Sequence, residues 1–166
     1  AGFCGDRQVQ SMNGYNGNGS GTSDTSYASY ARLSASSSSW KTIQTPTYNC
    51  NTNDLYTIDT SSKGNKSLTY PIGLITSDEM VYAGGFGGSG NTNLWFYNGQ
   101  NYWTMSPAIG GDCSYVLYMY SDGRIMTRGW IHVDYATAGV RPVINLRSDI
   151  NLTGTGTTAD PYKISE

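Results

Sequence analysis

Cys113 and His132 supply a thiol and the chain's single imidazole, the pair from which a nucleophile and its base would be built. That chemistry also needs a third group to orient the imidazole and donors for an oxyanion, and no motif near these residues signals either. Catalysis is therefore not expected, and the chain reads as a non-enzyme. Asp78 and Glu79 are adjacent carboxylates, but they lie just after Thr76 at a predicted helix start, where negative charge complements the helix dipole. Asp149, Asn151 and Asp160 offer oxygen ligands in loops without the spacing of an EF-hand or an Asp-rich calcium loop. No cofactor is expected, and a structural calcium ion is a minor alternative. The spacing of Cys4, Cys50 and Cys113 fits no zinc pattern.

The remaining chemistry is non-covalent recognition, concentrated between Asn101 and Leu146. Ser114 to Tyr120 alternates Tyr115, Leu117 and Met119 against Val116, Tyr118 and Tyr120, the period of a strand with two distinct faces. Ser121-Asp122-Gly123 supplies a turn. Alternation resumes at Arg128, with Gly129, Ile131 and Val133 on one side and Arg128, Trp130, His132 and Asp134 on the other. A solvated strand face is normally Thr, Ser, Lys and Glu. Tyr118, Tyr120, Arg128, Trp130, His132 and Tyr135 have instead the composition of interface hot spots and paratopes. The competing assignment is a second packed face, which alternation alone does not separate from an interface.

Elements must hold this stretch in place. Tyr102 to Pro107 and Gly139 to Ile144 each join bulky apolar residues to a proline and read as framework, with Arg141 expected as a paired structural guanidinium. Leu94 to Tyr97, Asn98-Gly99 and Tyr102-Trp103 predict a β-hairpin. Upstream, Tyr70, Ile72, Leu74 and Ile75 predict a short strand. Thr76 with Glu79 is a capping box that opens a helix, and Gly84-Gly85 ends it. The Gly-rich tract from Gly84 to Gly90 follows a helix and lacks a Lys-Ser/Thr ending, so it reads as a loop and not a phosphate cradle. Ser26 to Ala35 predicts a short helix with Tyr27, Tyr30 and Leu33 on one side. Thr42 to Tyr48 and Asp54 to Ile58 predict short strands, and the tail after Leu146 predicts a strand pair that closes the sheet near the N-terminus.

At 166 residues the chain is read as a single domain, with an irregular shell at 1–67 and a core at 68–166. A net charge of −2 and only 13% charged residues give no electrostatic footprint for nucleic acid or an anionic membrane, and no apolar run is long enough to insert in one. The opening AGFCGDRQVQ is no signal peptide, so either an export or anchoring segment lies elsewhere or the protein is soluble and cytoplasmic, a choice the cysteines inform. Cys4 and Cys50 bracket the polar N-terminal third, which has few apolar anchors. A disulfide there fits an exported protein, with Cys113 left over; three reduced, buried cysteines are the alternative.

YPIGLITSDEMVYAGG, NYWTMSP, the strand ending SDGR, GVRPVINL and GTGTTADPYKI together resemble a domain of surface proteins in Gram-positive gut bacteria, often carried on a pilin-like anchor. The resemblance spans roughly residues 68 to 164. It implies an α+β C-type-lectin-like fold of the variant shared with formylglycine-generating enzymes, with short helices and a small twisted antiparallel sheet. The same fold occurs in the variable proteins of diversity-generating retroelements. Formylglycine-generating activity on this fold would need paired active-site thiols, and one unpaired Cys113 argues against it. The resemblance places framework at Trp103, Met105, Ser106, Pro107, Val116, Leu117, Met119, Gly123, Gly139, Val140, Arg141 and Pro142. It places ligand-contacting positions at Ile109, Asp112, Tyr115, Tyr118, Arg124, Met126, Arg128, Trp130, His132, Asp134 and Tyr135. The function implied is an extracellular, non-catalytic, receptor- or adhesin-like domain that binds a protein or glycan on a host or neighbouring cell. Tyr118 and Trp130 are the expected anchors, removable without loss of stability. The alternative is a globular subunit of a pilus or filament that self-assembles through a missing N-terminal anchor, its aromatic face packed on the next subunit.

Overall fold

The computed structural model of the chain describes residues 2–9, 27–33, 44–85, 87, 89–109, 114–126, 132–134, 137–146, 149–157 and 159–165. Two short helices and several small antiparallel sheets make it an α+β protein. The elements are β1 (Phe3–Cys4), α1 (Ala28–Leu33), β2 (Leu55–Tyr56), β3 (Ile72–Gly73), α2 (Ser77–Tyr82), β4 (Tyr102–Ile109), β5 (Tyr115–Met119), β6 (Ile125–Met126), β7 (Val143–Ile144), β8 (Leu152–Thr153) and β9 (Lys163–Ile164).

Helix α2 forms where local chemistry demands it. Thr76 Oγ1 accepts from the Glu79 backbone N–H at 3.2 Å, and Glu79 Oε2 accepts from the Thr76 N–H at 2.7 Å, so two otherwise orphaned donors are satisfied. A cap of this kind contributes about 1 kcal/mol. The helix stops because Gly84 takes φ 93° and its N–H and that of Gly85 turn back to the Val81 and Met80 carbonyls. Tyr27, just ahead of helix α1, and Leu33 at its end are buried, and Tyr30 between them packs partly buried against the Leu33 cluster, as the spacing of three predicts.

The central sheet is β4-β5-β6, antiparallel throughout. Tyr102 pairs with Met119 and Trp103 with Tyr118, and the register shifts before Pro107 and again before Ile109. On one face Tyr102, Met119 and Ile125 join Ile75, Met80, Leu94 and Phe96 in the main core, while Ala108 and Leu117 meet Leu33 of α1 in a second cluster. Both helices therefore cover the same face. Hydroxyls between helices and sheet replace part of the expected apolar contact. Ser77 N–H donates to Ser106 Oγ at 3.0 Å, Ser77 Oγ lies 3.1 Å from Thr104 Oγ1, and Ser29 Oγ donates to the Pro107 carbonyl. All four hydroxyl residues are buried, and each finds a partner, which removes the cost of burying an unsatisfied hydroxyl.

The N-terminal shell is closed on itself by β1-β2 pairing and by the Cys4–Cys50 disulfide, with sequence separation 46. On the chain-entropy account closing such a loop contributes about 4 kcal/mol. A buried ion cluster ties this shell to α2. Arg32 donates to Asp78 through Nε (3.0 Å) and Nη2 (2.8 Å), and through Nη2 to Asp6 (2.7 Å), while Asp78 also accepts from Thr47 N–H at 2.8 Å. The N-terminal segment at Asp6, helix α1 and helix α2 thus meet at one guanidinium.

Four local expectations are corrected. Residues 94–97 form turns and not a hairpin strand, because Leu94 and Phe96 plug the core and the Phe96 carbonyl accepts from the Tyr102 hydroxyl instead of joining a ladder. Residues 44–48 form no strand; the Thr47 N–H is spent on Asp78. The strand predicted over Tyr70 to Ile75 contracts to β3, paired with β7. The tail hairpin β8-β9 does form, but as its own sheet that joins no other.

Candidate functional site

The candidate ligand surface is built on β5, and its geometry starts from the two faces of that strand. Tyr115 is half-buried beside the Leu33, Ala108 and Leu117 cluster, on the helix-covered face. Its backbone forms an antiparallel bridge with His132, the Val133 N–H donates to the Ser114 carbonyl at 3.0 Å, and the Tyr115 and His132 rings lie 5.2 Å apart at 53°. That bridge fixes 132–134 against the start of β5. Val133 and Asp134 beyond it are exposed.

The opposite face carries an aromatic ladder. Trp103 lies 6.0 Å from Tyr118, Tyr118 meets Tyr120 edge-on at 6.1 Å, and the Arg124 guanidinium sits 5.4 Å from the Tyr120 ring centroid. Arg124 also pairs with Asp122 at 2.8 Å in the β5-β6 turn. Burial pushes the Asp122 carboxyl up, but hydrogen bonds and charge from Arg124 outweigh it and hold the pKa below its ordinary value. The Arg124 pKa is raised in turn, chiefly by its hydrogen bond to Asp122. Gly123 makes this turn at φ 88°, and a Cβ there would lie 2.6 Å from the Asn91 carbonyl oxygen, so glycine is required on both counts.

The ligand positions expected from the sequence therefore divide. Tyr115 and His132 come together, and Arg124 joins Tyr120 and Asp122 on the other face. Asp134 is displayed on the His132 loop. Ile109 pairs with Tyr115 and Met126 with Tyr118 through the backbone, their side chains lying outside the described set. Asp112, Cys113, Arg128, Trp130 and Tyr135 also lie outside the described residues. Tyr118 is a correction. It is 1% exposed, because Trp103 and Tyr120 flank it, so it packs as a core residue and not as an open anchor.

Two framework expectations change as well. Val140 is 70% exposed. Arg141 has no carboxylate partner among the described residues; the Phe96 carbonyl and the Tyr102 ring hold it instead. Trp103, Asp122 and Val133 belong to these two surfaces but were not among the expected ligand contacts. For Trp103 the missing signal is register, since only its pairing with Tyr118 puts it on the ladder.

Among the described residues no group of three or more His, Cys, Asp or Glu side chains is arranged to hold a metal ion. No protein-family model, curated protein or solved structure matches this chain.

Proposed function

We propose that this chain is an extracellular, non-catalytic ligand-binding domain of C-type-lectin-like fold, a receptor- or adhesin-like module whose contacts come from residues 109–135. The observation that carries this reading is the Tyr115–His132 bridge, which holds an exposed loop bearing Asp134 against a strand anchored in the core. Contacts so mounted lose little freedom on binding, which is how a preorganised surface gains affinity. The disulfide supports an export route, and among the described residues no helix is long and apolar enough to cross a membrane. Diversification at these positions, as in retroelement variable proteins, is part of the same proposal.

The test is binding of the labelled domain to arrayed host glycans and displayed extracellular proteins. A saturable partner is expected, with affinity lowered at least about tenfold in the Tyr115→Ala/His132→Ala/Asp134→Ala variant, a loss of about 1.4 kcal/mol. The melting temperature should fall by only a few degrees. Binding that is indifferent to all three changes overturns the reading.

The filament-subunit reading has one observation in its favour. Ile72 and Ile144 face each other across β3-β7 while 50% and 59% exposed, an apolar pair with no cover among the described residues. Sedimentation decides between the two. A receptor domain is expected to stay monomeric over a roughly hundredfold range of concentration, whereas a filament subunit assembles by mass action.

A further inference from the structure

At the edge of the sheet where β4 begins, an open cleft of about 470 Å³ lies outside the 109–135 surface. One wall is the turn carrying Asn98, Gln100 and Asn101; the other is the segment from Thr137 to Arg141. The walls are fastened together. Trp103 N–H donates to the Gly139 carbonyl at 3.0 Å, and Gly139 N–H donates to the Asn101 carbonyl at 2.8 Å.

Among the described residues Arg141 is the sole charged residue of the lining. Among the described residues Arg7, Arg32 and Arg124 each face an aspartate, and Arg141 does not. Its Nη1 donates to the Phe96 carbonyl, which also accepts from the Tyr102 hydroxyl at 2.7 Å, and its guanidinium carbon lies 5.4 Å from the Tyr102 ring centroid. One edge and one flat side of the guanidinium are thereby fixed. A guanidinium has five N–H donors in a planar fork suited to a carboxylate. The amides add to this donor excess. Asn98 and Asn101 spend their Oδ1 atoms as acceptors for the Gln100 and Ser121 N–H groups, which leaves their amide nitrogens as donors. Val140 supplies an exposed apolar wall.

We propose that this cleft binds an acidic sugar, a uronate or sialate, with Arg141 taking the carboxylate and the Asn98, Asn101 and Thr137 side chains taking ring hydroxyls. A fixed cation with no counterion among the described residues selects a carboxylate. Amide donors, a hydroxyl and one apolar wall match a polyhydroxylated ring better than an apolar peptide side chain. This inference does not depend on the 109–135 surface, so either can fail alone.

The experiment is an amide-resolved NMR titration of the intact protein with sodium glucuronate and with N-acetylneuraminate, with methyl glucoside, sodium acetate and a short peptide ending in a free carboxylate as comparisons. Saturable shifts are expected at the Gln100, Asn101, Gly139 and Val140 amides for both sugar acids, with methyl glucoside at least about tenfold weaker. Arg141→Lys should weaken binding by about tenfold or more, because the ammonium lacks the planar fork. Since Arg141 also braces Phe96, Thr137→Val at an exposed position provides a second variant, expected to weaken binding several-fold at unchanged melting temperature. The proposal is overturned by absence of saturable shifts with either sugar acid, or by equal affinity for acetate, for methyl glucoside or for the peptide. Sugar-acid binding unchanged in both variants would overturn it too.

Discussion

Replacing Arg32 with alanine is expected to cost about 3–5 kcal/mol of unfolding free energy near neutral pH, the loss typical of breaking a buried ion pair from one side. Arg32 is 16% exposed at its side chain and lies between Asp6 and Asp78, whose side chains are 8% and 3% exposed. Without the guanidinium two carboxylates stay buried with no counterion. In the intact cluster burial is already the largest influence on Asp6 and raises its pKa from 3.8 to about 6; the Arg32 hydrogen bond and charge pull the other way, and Asp78 repels it further. Among the described residues Asp6 Oδ2 is buried without a hydrogen-bond partner, consistent with a carboxyl that gains by taking a proton.

The sign follows from that elevation. Between about 3.8 and about 6 the folded state binds more protons at Asp6 than the unfolded state does. The Asp6 contribution is therefore fully present below the unfolded value and is lost as pH rises through about 6. Urea denaturation with the disulfide intact should show a stability increment on acidification from neutral pH toward about 5, and Asp6→Asn should flatten it. A loss below about 1 kcal/mol in Arg32→Ala would mean that the cluster contributes little to the fold.

The second large effect is expected at Tyr118. Truncation to alanine should destabilise the protein by about 3–5 kcal/mol, the range for removing a buried aromatic ring. Trp103, Tyr120 and the β4-β5 pairing would all face the resulting cavity. The same denaturation measurement, paired with ligand binding, separates the two roles open to this residue. Wild-type stability together with lost binding would return Tyr118 to the contact surface.

The features legible in the sequence are those whose physics is completed within a few residues. The Thr76–Glu79 box, the glycine stop after α2 and the turn at Ser121-Asp122-Gly123 each depend on neighbours three or four positions apart, or on a φ that glycine adopts easily, and the β8-β9 hairpin has Gly154 and Gly156 at positive φ in its connection. The Cys4–Cys50 bridge was legible for a different reason, since a polar segment with few apolar anchors needs a closure at its ends. Alternation likewise identified β5 and sorted its residues onto two sides.

Which of those sides meets solvent was not written there. Alternation separates Tyr118 from Leu117, but only α1 and α2 above one face and Trp103 and Tyr120 beside the other decide that both residues are buried. The LWFY segment shows the same limit, because an aromatic run before Asn-Gly suits a hairpin until Phe96 finds a core to enter and a carbonyl to lend to Tyr102 and Arg141. Arg32 and Arg141 look alike as isolated cations in sequence, yet one is enclosed by two aspartates and the other faces an open cleft with no aspartate among the described residues. The sequence by itself determined caps, turns, strand periods and the need for a disulfide. Only the tertiary structure decided burial, register and charge pairing, because each depends on residues brought together from positions far apart along the chain.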